Sequence, residues 1–164
     1  MLNTSSANQR ETKLAGFVLT SPSFDEGGEI PIRHTCDGAD VSPELNWQGA
    51  PRGTVALALV VDDPDARSFT HWVVIDIPGG SNGSLREALQ PNDYPPQGRN
   101  DFGRTGWGGP CPPSGTHHYR FTLWALSSRI GLSGTLSAGD VLNAIAMRTL
   151  DRTRLTGTYT RQGR

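Results

Sequence analysis

The feature that most limits what this chain can become is the shortness of its apolar runs, which clusters of Gly, Pro, Asp and Asn cut apart soon after they begin. Twenty Gly and twelve Pro in 164 residues leave little room for long helices, and such punctuation is that of strands joined by turns. Three runs alternate. From Thr54 to Asp62, Val55, Leu57, Leu59 and Val61 share one face and Ala56, Ala58 and Val60 the other, because successive strand side chains point to opposite sides. Both rows are apolar, which predicts a central strand. The run His71–Ile77 sets His71, Val73, Ile75 and Ile77 against Trp72, Val74 and Asp76. The run His117–Leu126 sets His117, Tyr119, Phe121, Leu123 and Ala125 against His118, Arg120, Thr122, Trp124 and Leu126. A last strand is predicted over Thr153–Arg161.

Helices are minor by comparison. Ser84 with Glu87 makes a capping-box pattern ahead of Pro91 and predicts a helix of about two turns. Ser137 opens a stronger one, with Asp140 in its first turn and Val141, Leu142, Ile145 and Ala146 at helical spacing. The expected fold class is mostly β, a β-rich α+β arrangement with one or two short peripheral helices. Residues 1–14 are polar and unpatterned and read as a flexible leader, and 15–164 as a single domain, which the length suits. Between the second and third strands, Asn92–Pro113 is long for a compact domain and dense in Gly and Pro, and its Phe102 and Trp107 predict an ordered loop packed on the body.

Charge and composition narrow the partners. Fifteen Lys plus Arg against sixteen Asp plus Glu leave a net charge of -1 with no block of like charge, so nucleic acid is not expected. No apolar stretch approaches the roughly 20 residues of a membrane span, and the N-terminus lacks the apolar core of a signal peptide, so no transmembrane segment and a cytoplasmic location are expected. Cys36 and Cys111 are too few for a disulfide framework and too far apart for a CxxC metal site; their spacing does not decide whether they pair, and a reducing cytoplasm predicts free thiols.

Four polar residues stand at the tips of otherwise apolar rows. Asp63 extends the first row by one step just before Pro64, and His71 opens the apolar row of the second strand. If PDARSFT is a hairpin loop, the two flank it at one end and on one face of the sheet. His117 and Tyr119 open the row of the third strand. A lone His at a strand start usually just satisfies its neighbours at a core rim. A carboxylate, two imidazoles and a phenol above an apolar floor, roofed by a Gly/Pro loop, instead fit a small-ligand pocket. Protonatable imidazoles favour an anion, with Asp63 orienting or charging one of them.

Two other chemistries have weaker support. Gly79–Gly83 fits GxSxG around Ser81, with Asp101 and His117 following in hydrolase order, but that motif needs a tight strand-to-helix turn and here it sits in a string of turn formers. His34, Cys36, His71, Cys111, His117 and Asp63 include the ligand types zinc prefers, yet only His34 and Cys36 are close in sequence, so no metal is expected.

The runs VDDPDA, HWVVIDIP and GPCPPSGTHHYRFTLWAL resemble, in order and spacing, three signature stretches of the phosphatidylethanolamine-binding (Raf kinase inhibitor-like) family. HTCDGADVSPELNW, GRNDFGRTGWGGP and LTGTYTR are similar to further motifs of its bacterial and archaeal branch. The resemblance implies one large antiparallel sheet packed on a smaller one, and a binding module without cofactor or catalysis. Its ligand would be a phosphate-like headgroup or small carboxylate, and its protein target, if any, is undefined. It implies a pocket built from Asp63, His71, Gly109, Pro110, His117 and Tyr119. Phe69 stands where eukaryotic members have a pocket tryptophan and Cys111 near a pocket proline, so both join the candidate site. His118 replaces a usual Arg but faces the other side of its strand. The eukaryotic C-terminal helix has no counterpart here, which implies a mouth that is more open or covered by another subunit, and a homodimer is expected.

Overall fold

A computed structural model describes residues 16–131 and 136–161, so the leader expected over 1–14 lies outside the described residues. The strands are β1 (Val18–Thr20), β2 (Leu45–Gln48), β3 (Ala56–Asp63), β4 (Phe69–Pro78), β5 (Gly83–Leu85), β6 (Thr116–Leu126) and β7 (Thr149–Thr160). They form a four-stranded sheet of order β4-β3-β6-β7 and a three-stranded sheet of order β1-β2-β5, with every named pairing antiparallel. This is the expected large sheet on a smaller one.

The doubly apolar run lies in the middle of the large sheet as β3, flanked by β4 and β6. Its Leu57, Leu59 and Val61 join Leu19, Leu45 and Trp47 of the small sheet in one core, while Ala58 and Val60 join a second core under a helix. Val55 falls outside the strand and is exposed. That helix, α1 (Ala138–Ala146), starts where expected: the Ser137 hydroxyl accepts from the Asp140 amide at 3.2 Å, and Val141 and Ile145 are its buried residues.

Two expectations fail for physical reasons. The helix predicted after Ser84 is absent; Gly83–Leu85 pairs with β2 instead, Leu85 is buried opposite Leu45, and Glu87 takes two bonds from Arg33. Two turns of helix have too little intrinsic stability to compete with a strand that buries its apolar residue. The alternation predicted for β4 also breaks. Val61 pairs with Trp72 but Asp62 with Thr70, and Leu57 pairs with Ile77 but Leu59 with Val74, so β4 carries two extra residues, at His71 and at Ile75–Asp76. Trp72, Val74 and Ile77 face the core between the sheets, and Val73 and Ile75 the core under α1. At the second bulge Asp76 adopts φ 49° and its carboxylate accepts from the Ile130 and Gly131 amides at 2.7 and 3.0 Å. A short polar side chain tolerates that left-handed backbone.

The long loop between β5 and β6 is ordered, as its aromatics predict, and it runs along the outer edge of β4. Ile75 donates to the Pro96 carbonyl, and Gly98, Asp101 and Gly108 donate to the carbonyls of Val73, Thr70 and His71, all at 2.9–3.0 Å. Trp107 anchors the loop: its indole donates to the His34 carbonyl at 3.2 Å and its ring lies 5.4 Å from Trp72 and 5.9 Å from Phe121.

Candidate functional site

The end of the large sheet where β3 turns into β4 holds the cavity. The β3–β4 connection is one turn of 3-10 helix, Pro64–Ala66, capped by Asp63, whose Oδ1 accepts from the Asp65 amide at 2.8 Å. Arg67 and Ser68 follow with φ of 55° and 57°, consecutive left-handed residues that only a fixed turn sustains. The other oxygen of Asp63, Oδ2, accepts from His117 Nδ1 at 2.6 Å, across the sheet from β6. Asp63 is 2 % exposed, so this carboxylate spends its acceptors on protein donors and orients His117.

His71 reaches the same face because of its bulge, standing beside Trp72 where alternation predicted it beside Val73. Its Nδ1 donates to the Gly108 carbonyl at 2.6 Å while the Gly108 amide donates back to the His71 carbonyl, which ties strand to loop. Burial pushes the His71 imidazole below its ordinary value; the Gly108 carbonyl and the nearby Asp63 charge oppose this without reversing it. Tyr119 is pushed upward, again mainly by burial, with the Asp63 charge adding to it. Its phenol is therefore a neutral donor. The rings pack closely: Tyr119 lies edge to face 5.2 Å from His71, Phe69 lies tilted 5.1 Å from it, and Phe102 stands edge-on 4.8 Å from Phe69 and 5.5 Å from His71.

These groups surround a cavity of about 190 Å³ lined by Asp63, Ala66, Phe69, His71, Phe102, Cys111, Pro112, Pro113, His117 and Tyr119. That is below the roughly 300 Å³ at which pockets for drug-sized ligands begin. Six of the eight residues singled out in the sequence line it. Gly109 and Pro110 do not. Gly109 donates its amide to Asp40 at 2.8 Å, and a side chain there would collide with the His34 carbonyl and the Asp40 carboxylate, so its glycine serves the packing of the loop. The Pro110 carbonyl accepts from the Cys36 amide at 3.1 Å. Sequence reasoning missed Ala66, Pro112, Pro113 and Phe102 as wall residues; for Phe102 the signal was its place in the aromatic-bearing loop.

The cysteines correct the expectation of free thiols: Cys36 and Cys111 form a disulfide with their Cα atoms 5.4 Å apart, and Cys111 presents it to the cavity. The loop contacts at Gly109 and Pro110 bring the two together. The hydrolase constellation does not assemble, because Ser81 lies beyond the far end of β4, whereas His117 and the Asp101 carboxylate, which accepts from the Thr70 amide at 2.7 Å, stand at the near end. His34 is bonded to the Val41 carbonyl and the Ser23 hydroxyl at 2.8 and 3.1 Å, and among the described residues no group of three or more His, Cys, Asp or Glu could hold a metal.

Residues 20–160 match the family model described as phosphatidylethanolamine-binding protein. The chain belongs to the phosphatidylethanolamine-binding protein family. Within it, the chain is 44 % identical over 148 residues to a UPF0098 protein of Methanothermobacter thermautotrophicus, covering 87 % of this chain and 98 % of that one. It is 42 % identical over 150 residues to "Putative lipoprotein LppC" of Mycobacterium tuberculosis, covering 87 % of this chain and 72 % of that one. Among solved structures, YbcL of E. coli, described as a new member of the mammalian family, superposes with a TM-score of 0.83 at 33 % identity, covering 90 % of this chain and all of that one. The family homologue CT736 of Chlamydia trachomatis gives 0.82 at 31 %, covering 90 % and 99 %. No helix among the described residues is long and apolar enough to cross a membrane.

Proposed function

We propose that the protein is a binding module that takes a small oxyanion, a phosphate or phosphorylated headgroup or a small carboxylate, at the β3–β4 end of its large sheet, and that it binds without turning its ligand over. One observation carries this reading. The Asp63–His117 pair, with His71 and Tyr119, gathers polar ring atoms at an otherwise apolar cavity too small for a lipid. A thermal-shift series with phosphate, phosphoethanolamine, phosphotyrosine and acetate tests it. Stabilisation by at least one anion that is lost in His117→Ala is the expected result; no shift with any of them overturns it. A regulated protein partner belongs to the same reading, with the ligand-filled mouth as its contact. So does a homodimer, favoured by the exposed Phe102 and Pro113 at the lip.

The compartment follows from the disulfide. Outside hyperthermophiles such bridges persist in oxidising compartments, so the Cys36–Cys111 bond favours a location beyond the reducing cytoplasm, against the cytoplasmic expectation. Mass spectrometry of cell fractions alkylated before lysis decides it: a bridged protein in the extracytoplasmic fraction is expected, and free thiols in the cytosol overturn it.

A further inference from the structure

The large sheet has two edge strands, and the loop between β5 and β6 covers only the edge of β4. At the other edge the chain itself covers the second half of β7. Residues 26–30 run alongside it: Gly27 donates to the Thr156 carbonyl at 2.7 Å, Thr158 donates to Gly28 and accepts from Ile30, and the Glu26 carboxylate accepts from the Thr156 amide at 2.8 Å. Thr156 and Thr158 therefore turn their main-chain groups away from β6. In an antiparallel pair that direction repeats every second residue, and the β6–β7 register runs unshifted from Thr160 to Asp151, so Arg154 and Arg152 turn theirs outward too. There the cover stops. The Asp151 carboxylate takes the Arg152 amide at 2.8 Å, while the Arg152 carbonyl and both main-chain groups of Arg154 have no protein partner among the described residues. Two further features meet at this stretch. Leu155 and Tyr159 face the core between the sheets, so the side chains of Arg152 and Arg154 stand on the opposite face, across from Trp124 and Thr122. Arg154 Nε donates to the Thr122 hydroxyl at 2.9 Å, and neither arginine makes a salt bridge among the described residues. Beside the same stretch lies a cavity of about 310 Å³ with Leu19, Phe24, Thr153 and Leu155 in its wall, together with Asp25 and Glu26.

We propose that this open stretch of β7 is a docking edge for an extended segment of a partner protein, added as a further strand, with acidic residues at alternate positions facing Arg152 and Arg154 and apolar residues between them entering the cavity. Strand addition draws its affinity from main-chain bonds and its specificity from alternate side chains. Acidic residues two apart on an extended segment repeat at roughly 7 Å, the spacing of two arginines two apart on a strand. Charge selects the occupant. A second copy pairing antiparallel through the same edge would set arginine opposite arginine, and like charges directly opposite are destabilising. The charges that keep copies of this chain from pairing there thus admit a strand of opposite sign. The leader brings Arg10 and Lys13 against Glu11 alone, a poor match for two arginines. Asp25 and Glu26 in the cavity wall disfavour an acidic residue pointing inward, which fixes the alternation. Arg152 pairs with Trp124, far along the sheet from His117 and its partner Tyr159, so the proposal stands apart from the anion pocket.

The test titrates the full oxidised chain with a short fluorescein-labelled peptide in which Glu alternates with Val, followed by anisotropy, and with the same peptide carrying Lys in place of Glu. The Glu peptide is expected to bind saturably and the Lys peptide about tenfold more weakly or worse. Hydrogen exchange at the Arg154 amide should slow when the Glu peptide is bound, because an added strand takes up that N–H and a contact through side-chain charge alone does not. Arg152→Glu with Arg154→Glu, checked for folding by circular dichroism, should reverse the preference; if the double variant does not fold, the peptide pair and the exchange measurement decide. No binding of the Glu peptide, equal binding of both peptides, unchanged exchange at Arg154, or a preference unchanged in the folded variant overturns the proposal. Binding of the Glu peptide only after residues 1–14 are removed overturns it in favour of the leader. A doubled mass in light scattering that the double substitution returns to the single value overturns it in favour of a second copy.

Discussion

His117 and His118 are neighbours in sequence with opposite duties. His117 turns inward to Asp63, while His118 is exposed and bonds Asp65 at 2.8 Å on the rim. His117→Ala removes a ligand donor and is expected to weaken phosphate binding roughly ten- to hundredfold. His118→Ala removes only an exposed pair and should change it by less than about fivefold. Titration calorimetry on both variants checks this, and equal losses would put the pocket on the wrong face. His71 makes a second prediction. Its folded-state value lies below the ordinary 6.5, so as pH falls through that value the unfolded chain takes up a proton that the folded one resists. Stability is then full above 6.5 and declines as pH drops toward the folded value. The lowered carboxylates Asp65, Glu87 and Asp93 act only below about 4.5. Urea midpoints should fall from pH 7.5 to 5.5, and fall less in His71→Gln; a wild-type midpoint that does not move refutes the assignment. Asp63, His71, His117 and Tyr119 were legible in the sequence because a polar residue at the tip of an apolar row is conspicuous. Gly109 and Pro110 came from the family resemblance alone, and here they pack the loop against Asp40 and Cys36 outside the cavity lining.

Strands were legible where alternation runs unbroken. In β3 and β6 the alternation holds wherever the strand is buried: Leu57, Leu59, Val61, Tyr119, Phe121, Leu123 and Ala125 reach one core and Ala58, Val60 and Leu126 the other, since the pairing of the two strands runs without a shift. In β4 the two bulges shift the phase, and alternation carries no mark of an inserted residue; His71 reached the right face through a bulge that the pattern had not foreseen. The turn after Ser84 was misjudged because capping chemistry is local whereas pairing with β2 is not. The same nonlocality hid the bridge between the Cys36 and Cys111 loops, 75 residues apart. Closing a loop of that length restricts the unfolded chain by roughly 4 kcal/mol in the entropic account. Reduction, or Cys36→Ser with Cys111→Ser, is therefore expected to lower the melting temperature and to weaken phosphate binding, since Cys111 is part of the cavity wall. Calorimetry with and without reductant measures both, and an unchanged melting temperature would show the bond to be absent or inert.

At the scale of the whole molecule, two sheets with a helix on the outer face leave the cavity open at one end, with Phe102 42 % exposed at its lip. A second copy across that mouth is expected to double the 17.6 kDa mass in light scattering at micromolar concentration, and Phe102→Ser to return it to the single value. A wild-type chain of single mass overturns the dimer. The loop that roofs the cavity also covers the outer edge of β4 with main-chain bonds at Thr70, His71, Val73 and Ile75. An uncovered strand edge is a template for pairing between molecules. Descendants of this chain can therefore acquire bulkier ligands by exchanging Phe69, Phe102 or Pro113 one at a time. Shortening the roof is closed to them, because a variant that widened its mouth that way would expose the β4 edge and lose its solubility before any new specificity could be selected.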